Sequence, residues 1–588
     1  MPHGPAEMPE PPPKQPNWLF RIWAFAGVIS ALCSMAIFLC CYEPKIENGL
    51  VYGSMDRFYR IFQLVLLHFP LSEAGFETLA HQHPLGLHLL GVAQVFAVIF
   101  VVLAVVQVVG RVFGRELKAW YTVLRGNHVI ICGAGRTGEV LVDEFKNGHK
   151  DSVLQIDATT DEALRKARVD KAKYLIAAMD DDGDNIAVAM QAREVAGEQP
   201  QVFIHVARPD LRALLRHQRF LQAKEGEGGP RVQLFDIYEH SARLLLRDHF
   251  LDYKSIEEND GEENDGQVVQ LIVIGFGRMG EAVLTRAAMV GHYANLKRLR
   301  AKVVDLQAPL KGRQFASRYT YFGEICDVEF VRSNAEDPWT WEQVAAWCAD
   351  AEKTISTVVI ALDQNVLGLS LALSLDKHVR QEVPIRVRLP EQSNLTDVLG
   401  KDSRRGSLRE ITAFGSIREA CAYENITGKK LDNMAIAVHE AYQKHQKESH
   451  LARPDDPSMR EWNKLDDELR DSNRQQADHI PVKLRALNCA LAPCDSSDDG
   501  GHVEFTKDEI ELLAKMEHRR WMAERFLAGW RQGPKDFDER SSPYLVSWEK
   551  LETGYPKIQE IDRNFVRGLP NLVQAGGMKI YRKAHGTS

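Results

Sequence analysis

Short apolar runs alternate with amphipathic stretches through the middle of the chain, and the clearest example lies at 128–157. The apolar run 128–132 is followed by Gly-Ala-Gly-Arg-Thr-Gly over 133–138, by a helical pattern and by a second apolar run that ends in Asp157. Apolar runs of strand length on both sides of a glycine turn and a helix are typical of a βαβ unit. The pattern therefore predicts such a unit here.

The same order of elements returns about 140 residues later in the chain. The apolar run 271–274 precedes Gly-Phe-Gly-Arg-Met-Gly over 275–280, and a further apolar run, 301–304, ends in Asp305. One chain therefore carries two predicted βαβ modules, each with an acidic residue at the end of its second strand.

Glycines at this spacing allow a sharp turn, close approach of a pyrophosphate to the backbone and tight helix packing, while the helix N-terminus attracts anions. The acidic residue is placed to bond ribose hydroxyls, and an arginine after the second glycine can bond a phosphate. The predicted nucleotide contacts are Gly133, Gly135, Arg136, Gly138, Asp157, Asp180, Gly275, Gly277, Arg278, Gly280 and Asp305.

The N-terminal part of the chain has a different pattern. Residues 1–17 are rich in proline and read as a disordered tail, whereas 18–42 and 87–109 are long apolar stretches that predict two membrane-spanning helices within a transmembrane unit over 18–126. Basic residues after the second stretch predict that its C-terminal end lies on the cytoplasmic side of the membrane. We therefore expect an inner or plasma membrane location, contact with membrane lipid, and cytoplasmic termini and soluble domains.

Residues 55–69 form a short amphipathic helix pattern between the two apolar stretches. Two spans with a short helix between them resemble the pore unit of potassium channels, but no Thr-Val-Gly-Tyr-Gly filter follows, so this resemblance does not imply potassium selectivity. The segment is predicted to be either a divergent pore helix or an interfacial helix that braces the spans.

The first module resembles the KTN family, also called the RCK or TrkA N-terminal domain. The resemblance rests on the apolar run 174–178, the acidic run Asp180 to Asp184 and the helix led by Asn185, and it covers about 127–253. A second copy covers 267–408 after an acidic linker at 254–266, and it carries an apparent insertion between Gly312 and Trp347. The family implies a bound nucleotide: NAD(H), ATP or ADP, or a cyclic nucleotide.

The last third, 409–588, resembles the RyR domain named from ryanodine receptors. The resemblance rests on the helix 514–530, the segment 544–548 and an Asp-Arg pair at 562–563, and it covers 505–580. A fainter echo at 426–490 aligns His439 with His518 and Arg474 with Arg563, which predicts two similar halves. Aromatic and arginine side chains are predicted to line a ligand cleft: His518, Arg519, Trp521, Arg525, Trp530, Tyr544, Trp548 and Arg563.

Composition narrows the possible partners. The 588-residue chain has a formal net charge of -8 and 26% charged residues, which argues against nucleic acid as the main partner. Its nine cysteines are scattered and do not form a metal-ligand set or a disulfide framework. No acid–base pair follows either glycine motif, so the chain is not expected to be an enzyme.

The predicted fold class is multi-domain: two transmembrane helices, two Rossmann-like doubly wound α/β domains and a mainly α RyR-like domain. The resemblances imply a membrane-anchored, nucleotide-sensing ion-channel-like protein or membrane effector in which cytoplasmic KTN and RyR domains gate the transmembrane unit. They also imply a context of potassium ion transport and bacterial defence signalling. A homo-oligomer is expected, a tetramer first and a dimer second. The alternative is a non-channel membrane scaffold that oligomerises through its KTN domains and binds a protein partner through its RyR halves.

Overall fold

The computed structural model divides the chain into two compact units, residues 1–124 and 125–588. The described residues are 81, 84–156, 160–197, 199–217, 230–254, 256, 267–390, 411–428, 432–448, 456–494, 503–536 and 538–583.

Two helices, α1 (Pro84–Val112) and α2 (Gly114–Arg125), are described at the N-terminal end. A helix crosses a membrane when about 20 consecutive residues are predominantly apolar. No helix in the described part of the chain meets the length and apolarity that a crossing needs.

This finding corrects the predicted fold class, in which two transmembrane helices were expected. The segment 87–109 is part of α1, while 18–42 and the predicted pore or interfacial helix at 55–69 lie outside the described residues.

The first sheet of the second unit is wholly parallel, with the strand order β2-β1-β3-β4-β5. Its central strands are apolar without alternation because helices cover both faces. The strands are β1 (Val129–Cys132), β2 (Val153–Ile156), β3 (Tyr174–Ala177), β4 (Gln201–His205) and β5 (Arg231–Phe235). The helices are α3 (Arg136–Asp143), α4 (Asp161–Lys166), α5 (Asp182–Val195), α6 (Pro209–His217) and α7 (Ile237–Asp248).

The second sheet is also parallel, and its order β8-β7-β6-β9-β10-β11 is that of a doubly wound dinucleotide fold. The Rossmann-like part of the predicted fold class is thus present. The strands are β6 (Val268–Ile274), β7 (Leu299–Asp305), β8 (Cys326–Arg332), β9 (Thr354–Ile360), β10 (Ile385–Arg388) and β11 (Ile411–Phe414). The helices are α8 (Arg278–Val290), α9 (Ala308–Arg318), α10 (Pro338–Trp347) and α11 (Asn365–His378). The apparent insertion after Gly312 is therefore part of the doubly wound fold, because it contains β8 and α10.

The segment after β11 returns to the first sheet. It forms α12 (Ile417–Ala420) and α13 (Tyr423–Thr427), and its buried residues complete the core on the α3 face of that sheet. The Tyr423 ring lies 4.9 Å from Phe145 and stacks at 3.9 Å on His149. The core of the first module therefore includes residues that follow the second module in the chain.

The C-terminal domain consists mainly of helices and ends in an antiparallel strand pair, β12 with β15. Its longest helix begins with a capping box between Thr506 and Glu509. The elements are α14 (Asn433–Glu448), α15 (Asp467–Ala486), β12 (Cys489–Pro493), α16 (Lys507–Leu527), β13 (Arg531–Gln532), β14 (Ser541–Ser542), α17 (Trp548–Gly554), α18 (Pro556–Ala575) and β15 (Met578–Arg582).

Helix α15 joins the C-terminal domain to both sheets through one carboxylate. Asp478 accepts two hydrogen bonds from Arg243 of α7, at 2.7 and 2.8 Å, and forms an ion pair with Arg286 of α8. Farther along α15, Arg485 donates two bonds to Asp252 after α7, at 3.0 and 2.6 Å. The two Rossmann-like modules and the C-terminal domain are thus held to one helix.

We predict that Asp478→Asn weakens this docking. The substitution leaves two largely buried guanidinium groups without a carboxylate, and breaking such a buried pair costs roughly 3 kcal/mol. Urea denaturation of the full chain should show a lower urea midpoint for the transition in which α15 separates from the two modules.

Asp248→Asn is the matched control, because Asp248 and its partner Arg247 are about half exposed, at 51% and 50%. The control should lower the free energy of unfolding by less than about 1 kcal/mol. Equal effects of the two substitutions would contradict the assigned role of Asp478.

Candidate functional site

Close backbone contact requires glycine at both ends of each glycine loop. A Cβ on Gly138 would lie 2.3 Å from the Gly133 carbonyl oxygen, and one on Gly280 would lie 2.2 Å from that of Gly275. Gly133 and Gly275 have φ values of 137° and 91°, which side chains other than glycine rarely adopt. Both loops therefore have the tight strand-to-helix turn that the motif predicts.

The acidic run of the first module has several separate roles. Asp181 caps α5 by accepting from Gly183 N at 2.7 Å, and Asp182 accepts from Ala207 N and Arg208 N at 3.0 and 2.9 Å. Asp182 therefore connects the start of α5, after β3, to the residues that follow β4.

Asp180 instead faces the glycine loop. Its Oδ1 atom would be 3.2 Å from a Cβ on Gly135, so the exposed carboxylate borders the cleft. A ligand in this cleft therefore meets Asp180 near the second glycine. Asp157, the predicted ribose contact, lies outside the described residues.

In the second module the corresponding acid is engaged within the protein. Asp305 accepts from Phe276 N at 2.8 Å, from Gln307 N at 2.7 Å and from Lys311 Nζ at 2.8 Å. Burial tends to raise the pKa of Asp305, but the bonds from Lys311 and the two amides outweigh it and lower that pKa below its usual value. A ribose would have to displace these donors.

The arginine after the second glycine is exposed in both modules and begins the helix, as Arg136 of α3 and Arg278 of α8. The Arg278 guanidinium lies 6.0 Å from the centre of the Tyr238 ring, which belongs to α7 of the first module. Arg278 therefore lies at the contact between modules.

The predicted residues of the C-terminal cleft fall into two groups. In the first, His518 Nε2 lies 2.8 Å from the Val546 carbonyl oxygen, and its ring lies 5.7 Å from that of Trp548 at an interplanar angle of 58°. Arg563 lies 5.4 Å from the Trp548 ring and donates to Glu511 at 2.7 and 3.2 Å. These contacts join α16, α17 and α18.

The first half of the domain repeats this arrangement. His439 Nε2 lies 2.8 Å from the Arg460 carbonyl oxygen, and its ring lies 6.0 Å from that of Trp462 at 57°. Arg474 lies 5.9 Å from the Trp462 ring and donates to Asp432 at 2.8 and 2.5 Å.

The two copies agree in sequence offset as well as geometry. Asp432 precedes His439 by the same number of residues as Glu511 precedes His518, and each carbonyl acceptor lies two residues before its tryptophan. The acids at these positions were not among the predicted residues. The repeated offset between acid and histidine is the signal that would have identified them.

The second group consists of the other predicted residues. Trp521 stacks beside His518 at 5.8 Å and lies 5.9 Å from Arg525, so it connects the two groups. Arg525 also lies 5.0 Å from the Trp530 ring. Arg519 donates to the Leu296 carbonyl of the second module, and Tyr544 contacts the ring of Tyr555 at 5.2 Å. The ligand cleft itself stays a prediction.

A buried ionic cluster between α15 and α16 was not predicted from the sequence. Lys483 donates to Glu517 at 2.6 Å and Arg520 donates to it at 2.9 Å, with all three side chains at most 3% exposed. Burial by itself raises the pKa of Glu517, but Arg520 and Lys483 overcome this effect and lower that pKa to about 2. The cluster joins the two halves of the C-terminal domain.

Comparison with protein families identifies a TrkA-N domain over residues 147–223. Domains of this family are nucleotide-binding Rossmann-type domains. The chain therefore contains a TrkA-N domain, and the matched residues lie within the first module.

Two curated relatives come from Methanocaldococcus jannaschii. Potassium channel protein 1 is 33% identical over 99 residues, which covers 13% of this chain and 29% of the relative. Probable potassium channel protein 2 is 28% identical over 160 residues, covering 24% of this chain and 46% of the relative. The chain is thus homologous to archaeal potassium channel proteins over less than half of their length.

Among solved structures, the A chain of dipicolinate synthase from Bacillus subtilis aligns with 52% of this chain and 94% of its own length. The identity is 10% and the TM-score is 0.19, a likeness too low to indicate function.

We predict that the glycines of the second loop differ in their tolerance of a methyl group. Gly280→Ala places Cβ against the Gly275 carbonyl and should destabilise the full chain by roughly 2 kcal/mol or more through overpacking. Gly277→Ala is the control, since its Cβ would be 3.9 Å from Asp363 Oδ2. Thermal denaturation should separate the two variants, and equal melting temperatures would contradict the close approach.

The Glu517 cluster predicts a specific pH dependence. Its folded-state pKa of about 2 is below the ordinary value of 4.5, so the charged carboxylate contributes stability above pH 4.5 that is lost as the pH falls toward 2. The stability difference between the wild type and Glu517→Gln should be constant near neutral pH and shrink over that window. Melting curves at a series of pH values test this, and a difference independent of pH would refute it.

Proposed function

We propose that this chain is a nucleotide-responsive regulator of potassium transport whose ligand binds at the glycine loop of the first module. The observation that carries the proposal is the TrkA-N match over residues 147–223, which lies in that module. The names of the two archaeal relatives support the link to potassium.

The geometry of the two glycine loops favours the first as the ligand site. In the second module, Asp305 is held by three donors within the protein and Phe276 is buried, at 5% exposure. In the first module, the residue between the first two glycines is the exposed Ala134 instead of a buried phenylalanine, while the loop shape and the exposed Arg136 match those of the second module. The second module then serves mainly to dock the first module and the C-terminal domain.

A ligand at the first loop can act on the rest of the chain because α15 is bound to both modules. Such a ligand changes the arrangement of modules only to the extent that it binds one arrangement more tightly than another. The ligand is bound and released without turnover in this proposal. The RyR-like identity of the C-terminal halves, the homo-oligomer and the membrane location remain predictions.

The proposal is tested by titrating the purified full chain with NADH, ATP, ADP and cyclic AMP in a calorimeter. At least one nucleotide should bind, and Arg136→Gln should weaken it about tenfold, as expected for loss of one charge-assisted hydrogen bond. Arg165→Gln, on the exposed surface of α4, is the matched control and should leave the affinity unchanged. Failure of every nucleotide to bind, or equal affinity in Arg136→Gln, would overturn the proposal.

Rubidium flux in cells that express the full chain tests the transport role. Flux should differ between the wild type and Arg136→Gln when the binding nucleotide is abundant. A chain that binds nucleotide but leaves flux unchanged in both forms would instead favour the scaffold alternative.

A further inference from the structure

A cavity of about 340 Å³ lies where the two modules meet the C-terminal domain. Its walls come from α6 of the first module, from one face of α8 and the end of α9, and from α15 and α16. The glycines of both loops and Asp305 are not among its lining residues. It is therefore separate from the glycines of both clefts, and it shares only Arg278 with the second glycine motif.

The charged lining consists of arginines and carboxylates, with no lysine among its described residues. Guanidinium groups match phosphate and carboxylate oxygens in pairs, which an ammonium group does not. Most of these arginines are already held by carboxylates: Arg318 bonds Glu281, and Arg216 lies 2.6 Å from Asp471. A ligand therefore needs guanidinium groups that no carboxylate holds by a hydrogen bond.

Two arginines on different walls meet this condition. Arg278 is exposed, contacts the Tyr238 ring, and forms no ion pair with a described carboxylate. Arg525 lies over Trp530, and its nearest carboxylate oxygen, on Glu524, is 3.7 Å away, beyond hydrogen-bond distance. The other oxygen of Glu524 already accepts from Arg520 at 2.7 Å.

We propose that this cavity binds a small anion that carries two or more phosphate groups and bridges Arg278 of the second module to Arg525 of the C-terminal domain. The volume is within the range of small-ligand pockets, about 300–1,000 Å³. Because the walls belong to three parts of the chain, an anion here stabilises their docked arrangement. This site goes beyond the proposed function, which concerns the first glycine loop.

The test is calorimetric titration of the full chain with inorganic tripolyphosphate and, separately, with ATP. Arg278→Gln and Arg525→Gln should each weaken tripolyphosphate binding about tenfold, whereas the exposed Arg247→Gln control should not. Arg525→Lys keeps the charge and should recover part of the affinity. Circular dichroism and melting temperature of each variant identify any that fail to fold.

The proposed nucleotide site at the first glycine loop and the proposed anion site in the cavity can be contradicted independently. Arg136→Gln removes the proposed contact at the first glycine loop only, so the tripolyphosphate binding that this variant retains should still depend on Arg278 and Arg525. Retained tripolyphosphate binding in folded Arg278→Gln and Arg525→Gln, or its loss only in Arg136→Gln, would overturn the cavity site. Binding of ATP but not tripolyphosphate, with the same arginine dependence, would support the site and assign it to nucleotides.

Discussion

The second unit depends on one carboxylate shared between two arginines. Asp478 lies on the C-terminal domain, while Arg243 and Arg286 lie on the first and second modules. Separation of either module from α15 therefore breaks one of these largely buried ion pairs. This constraint couples the first module, the second module and the C-terminal domain, although they are separate in the sequence.

The core packing has the same consequence. Tyr423 and its neighbours follow the second module, yet they fill the face of the first sheet beside Phe145. A shift between modules therefore disturbs apolar contacts as well as ion pairs. Through such coupling, a ligand bound at one module can change the arrangement of a distant domain. This is possible because packed interfaces change between discrete arrangements.

Local features of this fold were predictable from the sequence. The glycine loops follow from spacing alone, since turn, helix N-terminus and close packing each require glycine at a given position. The strand β8 and helix α10 were missed because their segment was interpreted as an insertion, although Cys326, Val328 and Phe330 alternate with charged residues along β8. The strand β11 was missed because it follows residue 408, where the second module was expected to end.

Contacts between distant residues were not predictable. Nothing in the sequence near Tyr423 indicates the first sheet as its partner, and the roles of Asp478 and Glu517 depend on helices that meet only in the fold. The predicted ligand arginines Arg278 and Arg525 were assigned to separate clefts, whereas the structure places both on one cavity. The histidine echo between the C-terminal halves was visible, and the equal offsets of Asp432 and Glu511 from these histidines were also present in the sequence but were not used.

These contacts predict that both modules and the C-terminal domain open together. Native-state hydrogen exchange of the full chain measures this most directly, because amides that open in one cooperative unit share one opening free energy. We expect similar protection in the middle of α7, α8 and α15, and a parallel fall in all three in Asp478→Asn. Protection in α15 that is far lower than in α7 and α8, or a fall confined to α15, would contradict it.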